Sequence, residues 1–456
     1  MLMIRILFIT LLLIQSLFSQ DDPLETYIII GLENNLALKQ QQFSLEQSLE
    51  VLKEARGMYF PSIDINARYS RAGGGREITI PTGQLVNPIY SALNQLLVAN
   101  SMDPRFPEDL PDETILFMRE KEHDTGIRLV QPIIQPAVWA NYGLKSDLSD
   151  IEKYQTAIYK RSLITEIKRA YYNYLKALKV VDLYKKIENL QNENLRVSEK
   201  LFEAGKATQD VIYRAKAELS RTEQEKINVE NLQRQSRSYF NFILNRPLES
   251  EIAISNQINI NDSMNYDLES SRSHAFTNRE EINQIRSAVS AADNNAAMAR
   301  SNYFPGLSGV VEYGFQGETY SFTDKDDYWR ASLVLHWNLF KGFQDEAKLQ
   351  YAHLESKKLL TKEDEIKKQI ELEVERIIDN LAVAQQTIKA AERQLESAQA
   401  SFKIVRKKYE EGIAAQIEYL DAQTTLTNAA INAVISRYDY YITHAEFERI
   451  TASYRL

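Results

Sequence analysis

No cysteine occurs in this chain. That excludes disulfides, thiolate metal sites and a thiol nucleophile, as well as the lipidated cysteine of a bacterial lipoprotein. Histidine is nearly as scarce. His123, His274, His336, His353 and His444 are the five copies, and none forms a metal-spaced pair. Gly73-Gly74-Gly75 precedes no helix start with a lysine–serine or lysine–threonine pair, so it reads as flexible loop and not as a phosphate cradle. Carboxylates are plentiful, 63 acidic against 54 basic residues, but they are interleaved with Lys and Arg as on solvated helix faces. We therefore expect no enzyme, no metal site and no cofactor. The mildly acidic balance gives no reason to expect nucleic acid as a partner.

Long apolar runs are missing too, except at the N-terminus. There Arg5 precedes Ile6 to Leu17, an apolar stretch too short to span a membrane as a helix, and Ser19-Gln20 marks a plausible cleavage point. Residues 1–20 read as a signal peptide, in preference to a membrane anchor, and imply export from the cytoplasm.

The sparse prolines punctuate the chain. Tyr59-Phe60-Pro61 and Tyr303-Phe304-Pro305 each close a helix-like segment and open an alternating one, because proline ends a helix and biases the residue before it toward extended geometry. Pro61 and Pro305 are thus switches from helical to strand period. A first repeat is expected over 21–255, with a helix at 24–57, strands at 59–70 and 124–134, and long helices at 137–202 and 209–244. A second is expected over 256–456, with a helix at 278–301, strands at 305–316 and 328–339, and long helices at 345–409 and 415–453. Residues 246–277 read as mixed, irregular structure. Between the first two strands runs a loop of about 50 residues, 71–122, in which 90–98 can form a short helix; such length points to function or disorder.

A register test supports the repeat. From Ile370 through Val374, Ile377, Leu381 and on to Phe402, Val405 and Tyr409, apolar or small residues alternate at spacings of four and three, a coiled-coil heptad. Gly412 lies 207 positions after Gly205. The same offset places Leu163, Ile167, Ala170, Tyr174, Ala177, Val181 and Tyr184 in the matching register. It breaks at Glu188 and Gln191, and Ser198 is polar. We read the two halves as a duplication.

In the last strand Trp329, Ala331, Leu333, Leu335 and Trp337 share one face, with Arg330, Ser332 and His336 on the other. Two tryptophans about 26 Å apart along a strand have the spacing of the aromatic girdles of a membrane barrel. A sandwich would need a second sheet, for which the long helices leave no chain, so the apolar face is assigned to lipid. Four strands cannot close a barrel, and open edges are not tolerated in a bilayer. Several copies must then contribute.

With these residues in view, the chain resembles the TolC family of outer-membrane efflux and secretion channels. The resemblance rests on the two Tyr-Phe-Pro entries, on Gln131-Pro-Ile-Ile134 echoed by Trp337-Asn-Leu-Phe340, and on the paired tips Phe202-Glu-Ala-Gly205 and Tyr409-Glu-Glu-Gly412. It implies a fold that is mainly α with a small membrane β part: duplicated long-helix coiled coils, and four strands per chain that build a shared oligomeric β-barrel and α-helical tunnel. It also implies a homotrimer in the cell outer membrane, reaching into the periplasm. Such a trimer serves as a passive exit duct opened at its tip by a periplasmic adaptor and an inner-membrane pump. Gly205, Thr208, Asp210, Gly412 and Glu418 would form the docking tip, with Trp329 and Trp337 as the membrane girdle. The family prototype has acidic residues at the tunnel mouth where this chain has the basic stretch Phe402–Lys408, so Lys403 and Arg406 either line a positive constriction or pair with neighbouring helices. The 71–122 loop would face outside the cell and partly cover the pore. The competing reading is a periplasmic or surface coiled-coil scaffold without a pore.

Overall fold

The computed structural model describes residues 23–254 and 266–454. The expected signal peptide and the expected junction of the repeats at 255/256 lie outside the described residues. Two compact units are formed, and both draw on each half of the sequence. One takes in the chain up to Leu52, Gly143–Asn294 and the chain from Tyr351 on; the other takes Lys53–Tyr142 and Asn295–Gln350.

The first unit is helical. It begins with α1 (Pro23–Asn34) and α2 (Leu36–Gly57). These are two helices where one continuous helix is expected, and Asn35 is the cause. Its side-chain oxygen accepts from the Leu38 amide at 2.9 Å, starting a new helix. Its amide donates to the Ile243 carbonyl at 2.8 Å. The long helices are α4 (Pro136–Glu203) and α5 (Asp210–Ile243). Part of the stretch expected to be irregular forms α6 (Leu268–Asn278), where Asp267 caps the Ser270 amide at 2.7 Å. Then come α7 (Glu280–Ser301), α8 (Gln344–Glu410) and α9 (Gln416–Thr451).

Every heptad position tested above on α8 is buried or half-buried, from Ile370 and Val374 to Phe402 and Tyr409. On α4, Leu163, Ile167, Ala170, Tyr174, Ala177 and Val181 are buried likewise. Where the sequence register breaks, the buried stripe continues in polar residues: Gln191, Asn194 and Ser198 are all buried. The Ser198 hydroxyl lies 3.0 Å from that of Tyr409 on α8.

The second unit carries the strands: β1 (Ser62–Arg71), β4 (Lys121–Ile134), β5 (Gly306–Gly317) and β6 (Asp327–His336). They form one antiparallel sheet in the order β1-β4-β5-β6, so that β1 and β6 are its edges. The 71–122 segment is not structureless. It holds β2 (Glu77–Ile80), α3 (Thr82–Ala99) and β3 (Glu113–Leu116), with β2 paired to β3. The reason is local satisfaction of the backbone. Asn87 and Asn94 exchange hydrogen bonds with the backbone of 105–110, and Asp112 accepts from the Gly83 amide at 3.0 Å.

Candidate functional site

In the second unit, the register decides what each face of the sheet carries. Asp64, Arg128, Glu312 and Arg330 stand opposite one another across the four strands. Their charges alternate, which is the favourable cross-strand order. Arg128 Nε lies 3.3 Å from Glu312 Oε1, and Arg330 pairs with the same carboxylate. The neighbouring row on the opposite face is Ile65, Ile127, Tyr313 and Trp329. Ile63, Ile65, Leu333 and Leu335 on that face are each more than 60% exposed. One face is thus charged and internally paired, while the other is apolar and uncovered.

Aromatic rings gather at both ends of the apolar face. At one end Tyr69 lies opposite His123 in register; the His123 ring stacks on Tyr320 at 4.6 Å, and Phe322 packs beside both. At the other end are Tyr303, Trp337, Phe340 and Phe343, the last two edge to face at 5.4 Å. Trp329 lies within β6, whereas β6 stops at His336 and leaves Trp337 just beyond it. The expected strand to 339 is shortened because the Trp337 indole turns to donate to the Tyr303 carbonyl at 3.2 Å.

That bond has a counterpart in the other half. Gln131 donates to the Tyr59 carbonyl at 3.0 Å. Gln131 and Trp337 are the matched positions of the two sequence motifs, so each Tyr-Phe-Pro entry is held by the strand that leaves beside it. The entries themselves have one geometry. Tyr59 and Phe60 donate to Arg56 and Gly57, as Tyr303 and Phe304 do to Arg300 and Ser301, and Pro61 and Pro305 then open β1 and β5.

In the first unit, the two glycine turns are built alike. Gly205 has φ +68° and Gly412 φ +77°, left-handed values that glycine adopts without steric cost. Lys206 donates to Leu201 and Ile413 to Lys408, both at 2.8 Å, which closes the same six-residue turn. The fold also brings the turns together. The Lys206 side chain packs against Gly412, and Gln416 donates to the Val211 carbonyl at 2.8 Å. Behind them Phe402, Tyr409 and Tyr419 form an aromatic core. Burial raises the pKa of the Tyr409 and Tyr419 hydroxyls, so both stay neutral.

Around this core the expected docking residues are exposed. The Thr208 hydroxyl donates to Asp210, Asp210 pairs with Arg214 at 3.4 Å, and Glu418 stands in the first turn of α9. Lys403 and Arg406 are exposed on α8; Arg406 reaches Glu410 at 3.5 Å. Ile404, Ile413 and Ile417, which the sequence did not single out, are each more than half exposed here. Their apolar type amid charges was the available signal.

Among the described residues no helix is long and apolar enough to cross a membrane, and no cluster of His, Asp or Glu could hold a metal ion. What the geometry defines is a long-helix protein bearing an open sheet, charged on one face and apolar on the other. Residues 272–453 match the outer membrane efflux protein family. None of the curated proteins matches the chain. Among solved structures, the fold matches a membrane protein of Pseudomonas aeruginosa at TM-score 0.78 and 16% identity, covering 94% of each chain. It matches the outer-membrane channel OprN at TM-score 0.77 and 16% identity, over 94% of this chain and 89% of that one. It also matches the CmeC outer-membrane channel of Campylobacter jejuni at TM-score 0.74 and 15% identity, over 94% and 85%. The family match thus covers most of the second half of the sequence, and the fold of the whole chain is that of these solved outer-membrane channels.

Proposed function

We propose that this protein is a homotrimeric exit duct of a tripartite efflux or type I secretion system. The open sheet carries the reading. Its edge strands β1 and β6 have unpaired backbone groups, and its uncovered face is apolar between two aromatic ends. In a bilayer such edges must be closed by further strands, and copies of the same chain supply them. Three copies give the twelve strands that the family resemblance implies. The charged Asp64–Arg330 face would then line the lumen and the Trp329 face would meet outer-membrane lipid. The duplicated helices would continue the duct into the periplasm.

The paired turns at Gly205 and Gly412, with Thr208, Asp210, Glu418 and the exposed isoleucines, would receive a periplasmic adaptor, which links the duct to an inner-membrane pump. The resemblance implies that the energy for opening belongs to the pump. The test is a heat-modifiable trimer in the outer-membrane fraction that conducts in planar bilayers. A soluble monomer would overturn the reading in favour of a scaffold.

Lys403 and Arg406 make a second prediction. If they line the periplasmic mouth, Lys403→Glu with Arg406→Glu should move the channel's ion selectivity toward cations. Reversal potentials under a salt gradient measure this, and an unchanged potential would remove both residues from the mouth.

A further inference from the structure

Helix α3 is inside out. Leu85, Ile89, Ala92, Leu96 and Ala99 succeed one another at spacings of four and three, which places them along one side of the helix. All five are exposed, with Leu85, Ile89 and Leu96 near 60%. The opposite side carries Asn87 and Asn94, and this is the side turned inward. Asn94 is 5% exposed, donating to the Phe106 carbonyl at 2.7 Å and accepting from the Arg105 and Phe106 amides. An ordinary surface helix has the reverse arrangement. Here the asparagines satisfy the backbone of their own loop, and the leucines are left for something else to cover.

Two features say what covers them. The helix has no charged residue along its 18 positions. A helix that lies on a membrane surface instead carries Lys and Arg on its polar side. The segment after it adds Asp103, Glu108, Asp109, Asp112 and Glu113 against the single Arg105, a balance that disfavours an anionic lipid surface. The segment also grows directly out of edge strand β1. Ala72 still pairs with Glu120 and Phe117 with Arg76, which carries the β1–β4 ladder on into β2 and β3. It leaves the sheet at the end opposite to Pro61 and Pro305. Closure of the sheet edges by copies of the chain would therefore set identical α3 helices around one axis, at the barrel mouth opposite to Pro61 and Pro305.

We propose that the α3 helices of neighbouring copies pack on one another through the Leu85–Ile89–Ala92–Leu96–Ala99 seam and form an apolar seal over the outer mouth. This rests on the trimeric duct proposed above. The seam spacing is that of helix-on-helix packing, and its two alanines permit close approach. The occupant is another copy of this chain, and the uncharged seam is its own complement.

The absence of native cysteine makes the test direct. Leu85→Cys, Leu96→Cys and, as control, Val98→Cys are introduced singly into the full chain; Val98 is exposed but lies on the far side of α3. After mild oxidation of the purified oligomer, Leu85→Cys and Leu96→Cys should migrate on denaturing gels mostly as covalent dimers, at a yield independent of protein concentration. Val98→Cys should remain monomeric. Conductance of the oxidised Leu96→Cys channel should rise on addition of reductant. Seam cysteines that cross-link no more than Val98→Cys overturn the seal, whether a water-soluble maleimide or a lipid-soluble one then labels them. The latter outcome would make lipid the cover. Failure of the duct itself looks different: no heat-modifiable oligomer and no conductance in the unsubstituted chain, which overturns both proposals.

Discussion

Leu333→Arg is expected to abolish assembly in the outer membrane. Leu333 sits in the middle of β6, opposite Gly309, on the apolar face, and is 73% exposed. With lipid against that face, an arginine near the bilayer midplane costs about 2–4 kcal/mol. In a trimer each copy bears the cost, and the loss acts on an edge strand whose pairing builds the oligomer. The heat-modifiable trimer should disappear from the outer-membrane fraction. Asn66→Arg, an exposed position on the charged face of β1, should leave it in place. Equal assembly of the two variants would show that the apolar face does not meet lipid.

Glu448→Ala should produce the largest loss within the helical unit. The Lys168 ammonium is buried, lies over the Tyr454 ring at 4.3 Å and bonds Glu448 at 2.7 Å. Removing the carboxylate leaves a buried charge without its counter-ion, a change worth about 3–5 kcal/mol. Tyr454 is itself held from three sides. Its carbonyl accepts from Arg161, its hydroxyl donates to Glu25, and Lys168 covers its ring. The loss should thus spread to α1 and to the end of the chain.

His444, with Nδ1 3.9 Å from Glu448, adds a pH dependence. Burial holds its pKa below the ordinary 6.5; Lys168 acts in the same direction, and Glu448 opposes them. A histidine depressed on folding favours its neutral form. Its contribution is full above the unfolded value near 6.5 and is lost as pH falls through the folded value. Glu448→Ala removes the opposing charge, so the variant should lose stability in acid more steeply than the parent. Thermal melting between pH 5 and pH 8 measures both effects. A variant within about 1 kcal/mol of the parent would mean that Lys168 is hydrated after all.

Much of this chain could be read from residue order. Proline cannot be accommodated inside a helix, and strand side chains alternate strictly, so Pro61 and Pro305 together with the period change around them announce the passage from helix to strand. Glycine alone enters the left-handed region freely, which exposes the turns at Gly205 and Gly412. A heptad repeated at a fixed offset identifies helices that bury one face. These signals are local or periodic, and they carry the resemblance to the outer-membrane channels.

The rest depended on which distant residues meet. The alternation of charge across Asp64, Arg128, Glu312 and Arg330 exists only once the strand register is fixed, and register is a property of pairing. The two glycine turns are far apart in sequence, and only the packed helices set Lys206 against Gly412 and Gln416 against Val211. The apparent break in the α4 heptad at Gln191 is a break of chemistry and not of burial, because a rigid helix keeps presenting the same side to its neighbours. Trp337 leaves its strand to reach the Tyr303 carbonyl, an acceptor 34 residues away in the sequence.

The sharpest case is the segment between β1 and β4. By composition it is a loop, since its glycines and prolines promise little regular structure. Its leucines become a seam only because Asn87 and Asn94 find backbone partners on the other side of α3. The sequence by itself determined the helices, the strand entries and the glycine turns, through local stereochemistry. Only the tertiary structure decided which face of each element is left uncovered, because exposure depends on every neighbour at once.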